Sequence, residues 1–318
     1  MRSLKNVALE QYLGTVEARR AARLTLVSQV ARTYLALAAD RENLQLARST
    51  LENLRGYLDL VRRRHEAGLT SELDLRRAQA QVDLARDAVS RYQQVAALDR
   101  NALDLLVGAP VPDALLPESW ASVVTPREIS AGLSSDVLLS RPDVMAAEHQ
   151  LKAANANLGA ARATFFPRIS LTALVGTASD ALSGLFGKDS GSWTFAGQAA
   201  TPIFDTRTVA AAKATKVDRA MALAQYEKSI QAAFRDVADA LAVQATVDEQ
   251  LSARQSALEA TATAYRLATE RYETGLDSYL SVLDAQRSLY SAQQQLVNLR
   301  LARLSNLVTF YKVLGGGA

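Results

Sequence analysis

The distribution of proline and glycine is the feature that most limits the fold of this chain. All seven prolines lie between Pro110 and Pro202, so the stretches before and after them contain none. Gly275 is the only glycine from residue 203 to residue 314. Inside a helix, proline costs about 3 kcal/mol and glycine about 1 kcal/mol. Two long tracts that are nearly free of these residues and rich in Ala, Leu, Arg, Gln and Glu therefore predict very long helices.

Apolar residues in these tracts recur at alternating steps of three and four. In the segment 72–107 only Asp99 interrupts the series, which is Leu75, Ala78, Val82, Ala85, Val89, Tyr92, Ala96, Leu103 and Leu106. This period winds helices around each other in a left-handed supercoil. At about 1.5 Å per residue, the stretch from Thr208 to Glu273 predicts roughly 100 Å of helix. Such a helix must pair with other helices along its whole side, because it cannot wrap a single compact core.

Each tract is interrupted once, by the same short pattern. Gly68 and Gly275 are suited to end a helix in the left-handed conformation, and Ser71 and Ser278 are suited to begin the next one. When the two glycines are aligned, eight of the sixteen positions in 64–79 are identical to those in 271–286. Short joints of this kind connect antiparallel helices. The repeat therefore predicts one helical hairpin that is used twice.

The middle of the chain differs from both tracts. Residues 108–140 are rich in proline and predict an irregular connector, after which a helix begins with Pro142 in its first turn. Apolar and polar residues then alternate in 169–175 and in 193–203. Period two over about ten residues is typical of a tilted strand that crosses an outer membrane.

Aromatic residues lie near the ends of the two alternating segments, as in the interface girdles of outer-membrane barrels. They are Phe165, Phe166, Trp193, Phe195 and Phe204. From periodicity alone, a soluble β-hairpin with one buried face is an equally good interpretation. Either structure needs partners, because a two-stranded hairpin is barely stable by itself.

Composition excludes several classes of function. With 36 Lys and Arg against 33 Asp and Glu the net charge is +3, which argues against a nucleic-acid binder. The chain has no cysteine, and its two histidines, His65 and His149, have no spacing that indicates a partner or a metal site. No nucleotide loop, nucleophile elbow or metal-ligand motif is present, so we expect neither an enzyme nor a cofactor. No run of eighteen apolar residues is present either.

Five stretches carry a more specific pattern. They are 141–148 (RPDVMAAE), 153–156 (AANA), 166–171 (FPRISL), 271–289 and 314–317. Together with the two helical hairpins and the central β-hairpin, they resemble the TolC-like outer-membrane efflux proteins over essentially the whole chain. The resemblance is closest to the subgroup that works with resistance-nodulation-division (RND) pumps.

The resemblance implies a mainly α fold in which long coiled-coil hairpins form an α-barrel tube and the β-hairpin contributes to a small transmembrane β-barrel. It implies a homotrimer in the outer membrane of a Gram-negative bacterium, in contact with lipid and reaching into the periplasm. The trimer would be the gated channel of a tripartite drug or small-molecule efflux pump. Its partners would be a periplasmic adaptor protein and an inner-membrane RND pump.

On this basis the chain divides into five parts. Residues 1–107 would be the first hairpin of the tube, 108–140 an equatorial connector, 141–164 a helix, 165–204 the membrane β-hairpin and 205–318 the second tube hairpin. The family's signal peptide, its frequent lipidated cysteine and its first β-hairpin have no counterpart here. We therefore expect a truncated chain that would give a trimer six strands rather than twelve. The family usually has glycine at the strand-to-helix joint, where this chain has Asp205-Thr206-Arg207.

The resemblance also implies a periplasmic gate after the second turn. Leu280 and Asp284 match positions that constrict the tube, and Arg287 matches a basic residue beside them. Their spacing of four and three places them on one helix face. Three copies of Asp284 would repel one another when the tube is closed. From its residue type alone, Asp284 is a solvated helix residue.

The two turns are expected to form the tip that docks the adaptor. The residues concerned are Gly68, Leu69, Thr70 and Ser71, and Gly275, Leu276, Asp277 and Ser278. The alternative is that these residues are only structural caps. For the whole protein, the alternative function is a soluble coiled-coil scaffold or adaptor, which would have no need of the alternating segments in 165–204.

Overall fold

The computed structural model describes residues 2–123 and 135–316. Within them, the α-helices are α1 (Arg2–Glu66), α2 (Glu72–Val107), α3 (Pro142–Ala163), α4 (Thr206–Glu273) and α5 (Tyr279–Val313). The strands are β1 (Arg168–Thr177) and β2 (Gly191–Ala200). Short 3₁₀ turns occupy Asp113–Leu115, Trp120–Ser122, Ser135–Ser140 and Leu182–Gly184. The mainly α fold with one β-hairpin is thus confirmed, while residues 124–134 of the predicted connector lie outside the described residues.

The two longest helices have the length that the sequence predicts. α1 contains 65 residues and α4 contains 68, so each is about 100 Å long. The last turn of α1 carries Arg63, Arg64 and His65, and the first turn of α2 carries Glu72 and Asp74. Basic groups at the end of a helix and acidic groups at its start both interact favourably with the helix dipole.

Asp205 explains how α4 starts without the glycine that the family usually has. One carboxylate oxygen accepts the backbone N–H of Arg207 at 2.9 Å, and the other accepts the hydroxyl of Thr208 at 2.7 Å. The carboxylate therefore satisfies one of the backbone N–H groups that a helix N-terminus leaves free, and a side-chain hydroxyl holds it in place.

The chain forms two compact units. The first contains residues 1–20 and 142–232, which include the start of α1, α3 and the β-hairpin. Here α1 and α3 come close at Gly14, where a Cβ atom would lie 3.6 Å from that of His149. One turn away, Nδ1 of His149 lies 2.7 Å from a carboxylate oxygen of Glu10. The sequence spacing gave this histidine no partner, because the pair joins residues 139 positions apart.

The second unit contains residues 21–141 and 233–318. Its apolar interior follows the predicted heptad stripe, since Ala78, Val82, Ala85 and Leu103 of α2 are all buried. The largest apolar cluster joins α1, α2 and α5 and consists of Leu51, Leu54, Leu58, Val61, Ala78, Val82, Ala85, Tyr279, Val282 and Leu283. Two smaller clusters lie nearer the N-terminus of α1. Leu37 packs with Leu103 and Leu116, and Leu35 packs with Leu304 and Leu307.

Among the described residues, no helix combines the length and the apolar character that a membrane-spanning helix requires.

Candidate functional sites

The two repeated turns have the same backbone geometry. Gly68 and Gly275 have φ angles of 73° and 77°. In the first turn, the N–H of Leu69 donates to the carbonyl of Arg64 at 2.8 Å; in the second, the N–H of Leu276 donates to the carbonyl of Arg271 at 2.9 Å. The N–H of each glycine also donates to the helix, to the carbonyl of His65 at 2.9 Å from Gly68 and to that of Tyr272 at 3.0 Å from Gly275. The two bonds together define a Schellman motif, in which a left-handed glycine closes the helix. The repeat in the sequence is therefore a repeat in structure.

The exposed leucine is the most unusual part of each turn. A Schellman motif is often accompanied by an apolar contact of this residue with the preceding helix. Here Leu69 is 77% exposed and Leu276 is 71% exposed. Each turn consequently presents one large apolar side chain to solvent.

The side chains that secure the two turns are different. Around the first, Nδ1 of His65 lies 3.1 Å from the carbonyl oxygen of Thr70, and the hydroxyl of Ser71 accepts the N–H of Asp74 at 3.1 Å. Around the second, Nε of Arg271 donates to Asp277 at 3.1 Å. The guanidinium of Arg271 lowers the pKa of the Asp277 carboxyl, and the N–H of Ser278 acts in the same direction.

A tyrosine cluster lies behind the turns and joins the two helical hairpins. The rings of Tyr57 and Tyr279 are stacked with their centroids 3.5 Å apart. The hydroxyl of Tyr57 donates to that of Tyr272 at 3.3 Å, and Nη1 of Arg64 donates to the same Tyr272 oxygen at 2.8 Å. Burial raises the pKa of both Tyr57 and Tyr279, so both remain neutral phenols. The cluster fixes the α1–α2 turn relative to the α4–α5 turn.

The three residues expected at a gate lie on one exposed face of α5. Leu280, Asp284 and Arg287 are all exposed, whereas Val282 and Leu283 between them are buried in the apolar cluster. Nη1 of Arg287 lies 3.7 Å from the Asp284 carboxylate. Nε of Arg287 also lies 3.5 Å from the side-chain oxygen of Gln81 on α2. Both contacts are long, so neither fixes the guanidinium strongly.

The β-hairpin has one apolar and one more polar face. The antiparallel register places Leu171 opposite Gly197, and Val175 opposite Trp193. Ile169, Leu171, Ala173 and Val175 thus share a face with Trp193, Phe195, Gly197 and Ala199. The other face carries Ser170, Thr172, Thr194 and Gln198, together with Leu174 and Ala196. β2 ends at Ala200 instead of continuing to 203, because Pro202 cannot donate to the strand ladder.

All twenty strand residues are exposed within the chain. Neither face of the hairpin is therefore buried against the rest of its own chain, unlike in the interpretation of a soluble hairpin with one buried face. Of the five aromatic residues, Phe165, Phe166 and Phe204 lie at the end of the hairpin nearest the helices. Trp193 and Phe195 lie toward the other end of β2, near the Ala178–Ser190 loop.

Arg141 forms buried hydrogen bonds to distant helices, which the sequence analysis did not predict. Its side chain is buried and donates to the carbonyl of Val313, the last residue of α5, at 3.2 Å. It also lies 3.5 Å from the carbonyl of Ala233 and 3.3 Å from the Asp236 carboxylate, both on α4. Arg141 thus ties the end of the connector to α4 and α5, and Pro142 opens α3 as predicted.

The fold and these surfaces are those of an outer-membrane efflux channel, and comparison with known proteins gives the same class. The family model for outer membrane efflux proteins matches residues 1–109 and 133–316. The chain belongs to this family, and it is accordingly an outer-membrane channel component of an efflux system.

Two curated relatives show the extent of the similarity. The solvent efflux pump outer membrane protein SrpC of Pseudomonas putida is 46% identical over 318 residues, which cover 100% of this chain and 68% of the relative. The cation efflux system protein CusC of Escherichia coli K12 is 39% identical over 322 residues, which cover 100% of this chain and 70% of the relative. These relatives are efflux proteins and not enzymes.

Solved structures agree in fold. A membrane protein from Pseudomonas aeruginosa superposes with a TM-score of 0.94 at 39% identity, covering 99% of this chain and 71% of that structure. The open state of the MtrE outer membrane channel of Neisseria gonorrhoeae has a TM-score of 0.88 at 38% identity and covers 99% and 72%, respectively.

Proposed function

We propose that this chain forms a homotrimeric channel in the outer membrane that works with a periplasmic adaptor and an inner-membrane RND pump to export small molecules. The observation that carries the proposal is the combination of an exposed, two-faced β-hairpin with two matching exposed turns. The hairpin needs partner strands, and each turn exposes one leucine that a partner could cover. A soluble scaffold would need neither.

The β-hairpin is proposed to contribute to a shared barrel, with its apolar face toward lipid. Alternation of lipid-facing and lumen-facing residues is the pattern of such barrels. Leu171 lies near the middle of the apolar face of β1, and Ser170 is its neighbour on the other face. Charge in the middle of the lipid face costs about 2–4 kcal/mol.

Leu171→Arg should therefore reduce the amount of folded trimer recovered from outer membranes, whereas Ser170→Arg should be tolerated. Heat-modifiable migration of the detergent-extracted trimer measures both variants. Equal recovery of the two would contradict a lipid-facing role for this face. So would extraction of the unaltered chain as a monomer without detergent.

The turns Gly68–Ser71 and Gly275–Ser278 are proposed as the adaptor-docking tip. Leu69 and Leu276 offer matching apolar contacts, which interfaces commonly bury at their centre. A photo-crosslinking residue placed at Leu69 or at Leu276 should capture the adaptor in cells. The matched control is Leu105, which is also exposed on α2 but lies at the opposite end of that helix. Capture from Leu105 and not from the turns would overturn the docking role.

Leu280, Asp284 and Arg287 are proposed to form the periplasmic constriction. Three-fold symmetry would bring the Asp284 carboxylates together, and the weakly held Arg287 would offset their repulsion. Asp284→Ala combined with Arg287→Ala should raise the open probability of single channels in lipid bilayers. Asp83→Ala combined with Arg86→Ala is the control, since this exposed pair on α2 has the same spacing and lies 3.0 Å apart. An unchanged open probability in the first variant, or an equal rise in both, would remove the proposed gate.

A further inference from the structure

A pocket with a volume of about 120 Å³ lies among α1, α2 and α5 in the second unit. Its wall is mostly apolar and includes Ala47, Leu54 and Ala85, all of which are buried. Leu84 also lines it and is 63% exposed, so the pocket is open to solvent. An enclosed apolar cavity of about 150 Å³ holds benzene, whereas drug-sized ligands need about 300 Å³ or more. The pocket therefore has room for a single ring whose substituent lies at the mouth.

Polar side chains line the same pocket, and most of their hydrogen-bonding capacity is unused. Within the described residues, the hydroxyl of Thr50 and the side-chain amide of Gln286 have no hydrogen-bond partner. The side-chain oxygen of Gln81 accepts only the long contact from Nε of Arg287, at 3.5 Å. An apolar wall with a few polar groups is the usual composition of a small-molecule pocket, because the wall supplies affinity and the polar groups fix orientation.

Arg287 is the one charged residue that lines this pocket in the described part of the chain. Besides the contact with Gln81, its guanidinium has only the 3.7 Å approach to the Asp284 carboxylate. A guanidinium has more N–H donors than these two contacts use, and its planar fork matches both oxygens of a carboxylate. The pocket therefore favours a carboxylate over a cation. Tyr290 adds an aromatic ring to the lining, which favours an aromatic ring in the ligand.

We propose that this pocket binds a small aromatic carboxylate, with its ring against the apolar side chains of α1 and α2 and its carboxylate paired with Arg287. The ring buries apolar surface in the pocket, and both carboxylate oxygens accept N–H groups of the guanidinium. A neutral molecule of the same shape keeps the ring contacts but lacks the ion pair, so the charge of the ligand determines the preference. Binding can be measured on the chain itself, whether or not Leu280, Asp284 and Arg287 form a gate.

Fluorine NMR of the purified full chain in detergent tests the proposal. The probe is para-fluorobenzoate, and para-fluorobenzamide is its neutral counterpart of the same shape. Addition of the chain should broaden and shift the benzoate signal in a saturable way. At neutral pH, where the acid is ionised, the benzoate should bind about fivefold more tightly than the benzamide, because a partly exposed ion pair contributes about that factor. A detergent sample without protein corrects for uptake of either probe into micelles.

Variants separate the two parts of the pocket. Arg287→Gln should weaken benzoate binding about fivefold and leave benzamide binding unchanged, so that the preference disappears. Arg86→Gln is the matched control, because this exposed arginine of α2 does not line the pocket, and it should keep the preference. Ala88→Leu fills part of the pocket and should weaken the binding of both probes. Ala97→Leu, at an exposed position of α2 outside the pocket, should weaken neither.

The proposal is overturned if neither probe binds, which is the result expected if a second copy of the chain covers the pocket. Equal affinity for the two probes would identify a site for neutral molecules and would overturn the carboxylate assignment. Equal weakening by Arg287→Gln and Arg86→Gln would attribute the preference to the general positive charge of the surface, and unchanged binding in Ala88→Leu would place the probe elsewhere on the chain. Either result would equally overturn the proposal.

Discussion

Arg141→Met should destabilise the fold because a single guanidinium satisfies groups on two other helices. Its side chain donates to the carbonyl of Val313 at 3.2 Å. Val313 is the last residue of α5, so its carbonyl has no partner further along the helix. The same side chain also bonds to Asp236 on α4. Methionine preserves most of the length of the side chain and removes only the donors and the charge.

The magnitude follows from burial. An unpaired buried polar group costs about 1–3 kcal/mol, and breaking a buried ion pair costs about 3–5 kcal/mol. Asp236 remains partly exposed and keeps its contact with Arg235 at 2.7 Å, which lowers the cost of breaking the ion pair with Arg141. We therefore expect Arg141→Met to lower the free energy of unfolding by about 3 kcal/mol.

Arg235→Met is the matched control, because this neighbouring arginine bonds to the same carboxylate but has a side chain that is 69% exposed. Exposed ion pairs contribute about 0–1 kcal/mol to stability, so Arg235→Met should lower the free energy of unfolding by at most about 1 kcal/mol. Urea unfolding in detergent, followed by helical circular dichroism, measures both variants. Equal losses below about 1 kcal/mol would refute the view that the buried Arg141 side chain holds α4 and α5 together.

Two further predictions concern the turns. Gly68→Ala should lower the free energy of unfolding by about 1–2 kcal/mol, because the φ of Gly68 is 73°. Gly56→Ala within α1 should raise it by about 0.5–1 kcal/mol, since no atom lies within 4 Å of the added Cβ. Thermal unfolding distinguishes the two variants, and a shift of the same sign in both would contradict the turn geometry. Arg271 lowers the pKa of Asp277 below 3.8, so the second turn should keep its stabilisation above that pH and lose it in stronger acid. Hydrogen exchange at residues 274–281 should therefore increase below pH 3.8 in the unaltered chain and show no such step in Asp277→Asn.

Local rules predicted much of this fold. The absence of helix breakers predicted α1 and α4, and the two glycines predicted both turns, because helix length and capping depend on residues within a few positions of each other. The predicted serine cap forms at Ser71, but the Ser278 side chain makes no capping hydrogen bond to α5. Period two predicted the β-hairpin, although Pro202 ended β2 earlier than the alternation suggested. Helical spacing likewise predicted that Leu280, Asp284 and Arg287 share one face of α5, and the structure added that this face is exposed.

Contacts between distant parts of the chain could not be predicted in this way. The stacking of Tyr57 on Tyr279 and the pairing of His149 with Glu10 join residues with no local pattern in common. Asp99 was visible as a gap in an apolar stripe, but the burial of its Oδ2 atom was not. The exposed leucines of the turns could be located in the sequence, but their exposure could not.

By itself, the sequence determined where the helices, turns and strands lie, because propensity, capping and periodicity act between neighbouring residues. Only the tertiary structure decided which polar groups are buried together. It gave Arg141 its partners on α4 and α5, because burial and charge depend on the helices that surround a residue. The same surroundings determine whether a carboxyl group near neutral pH is an ordinary surface charge or holds a proton.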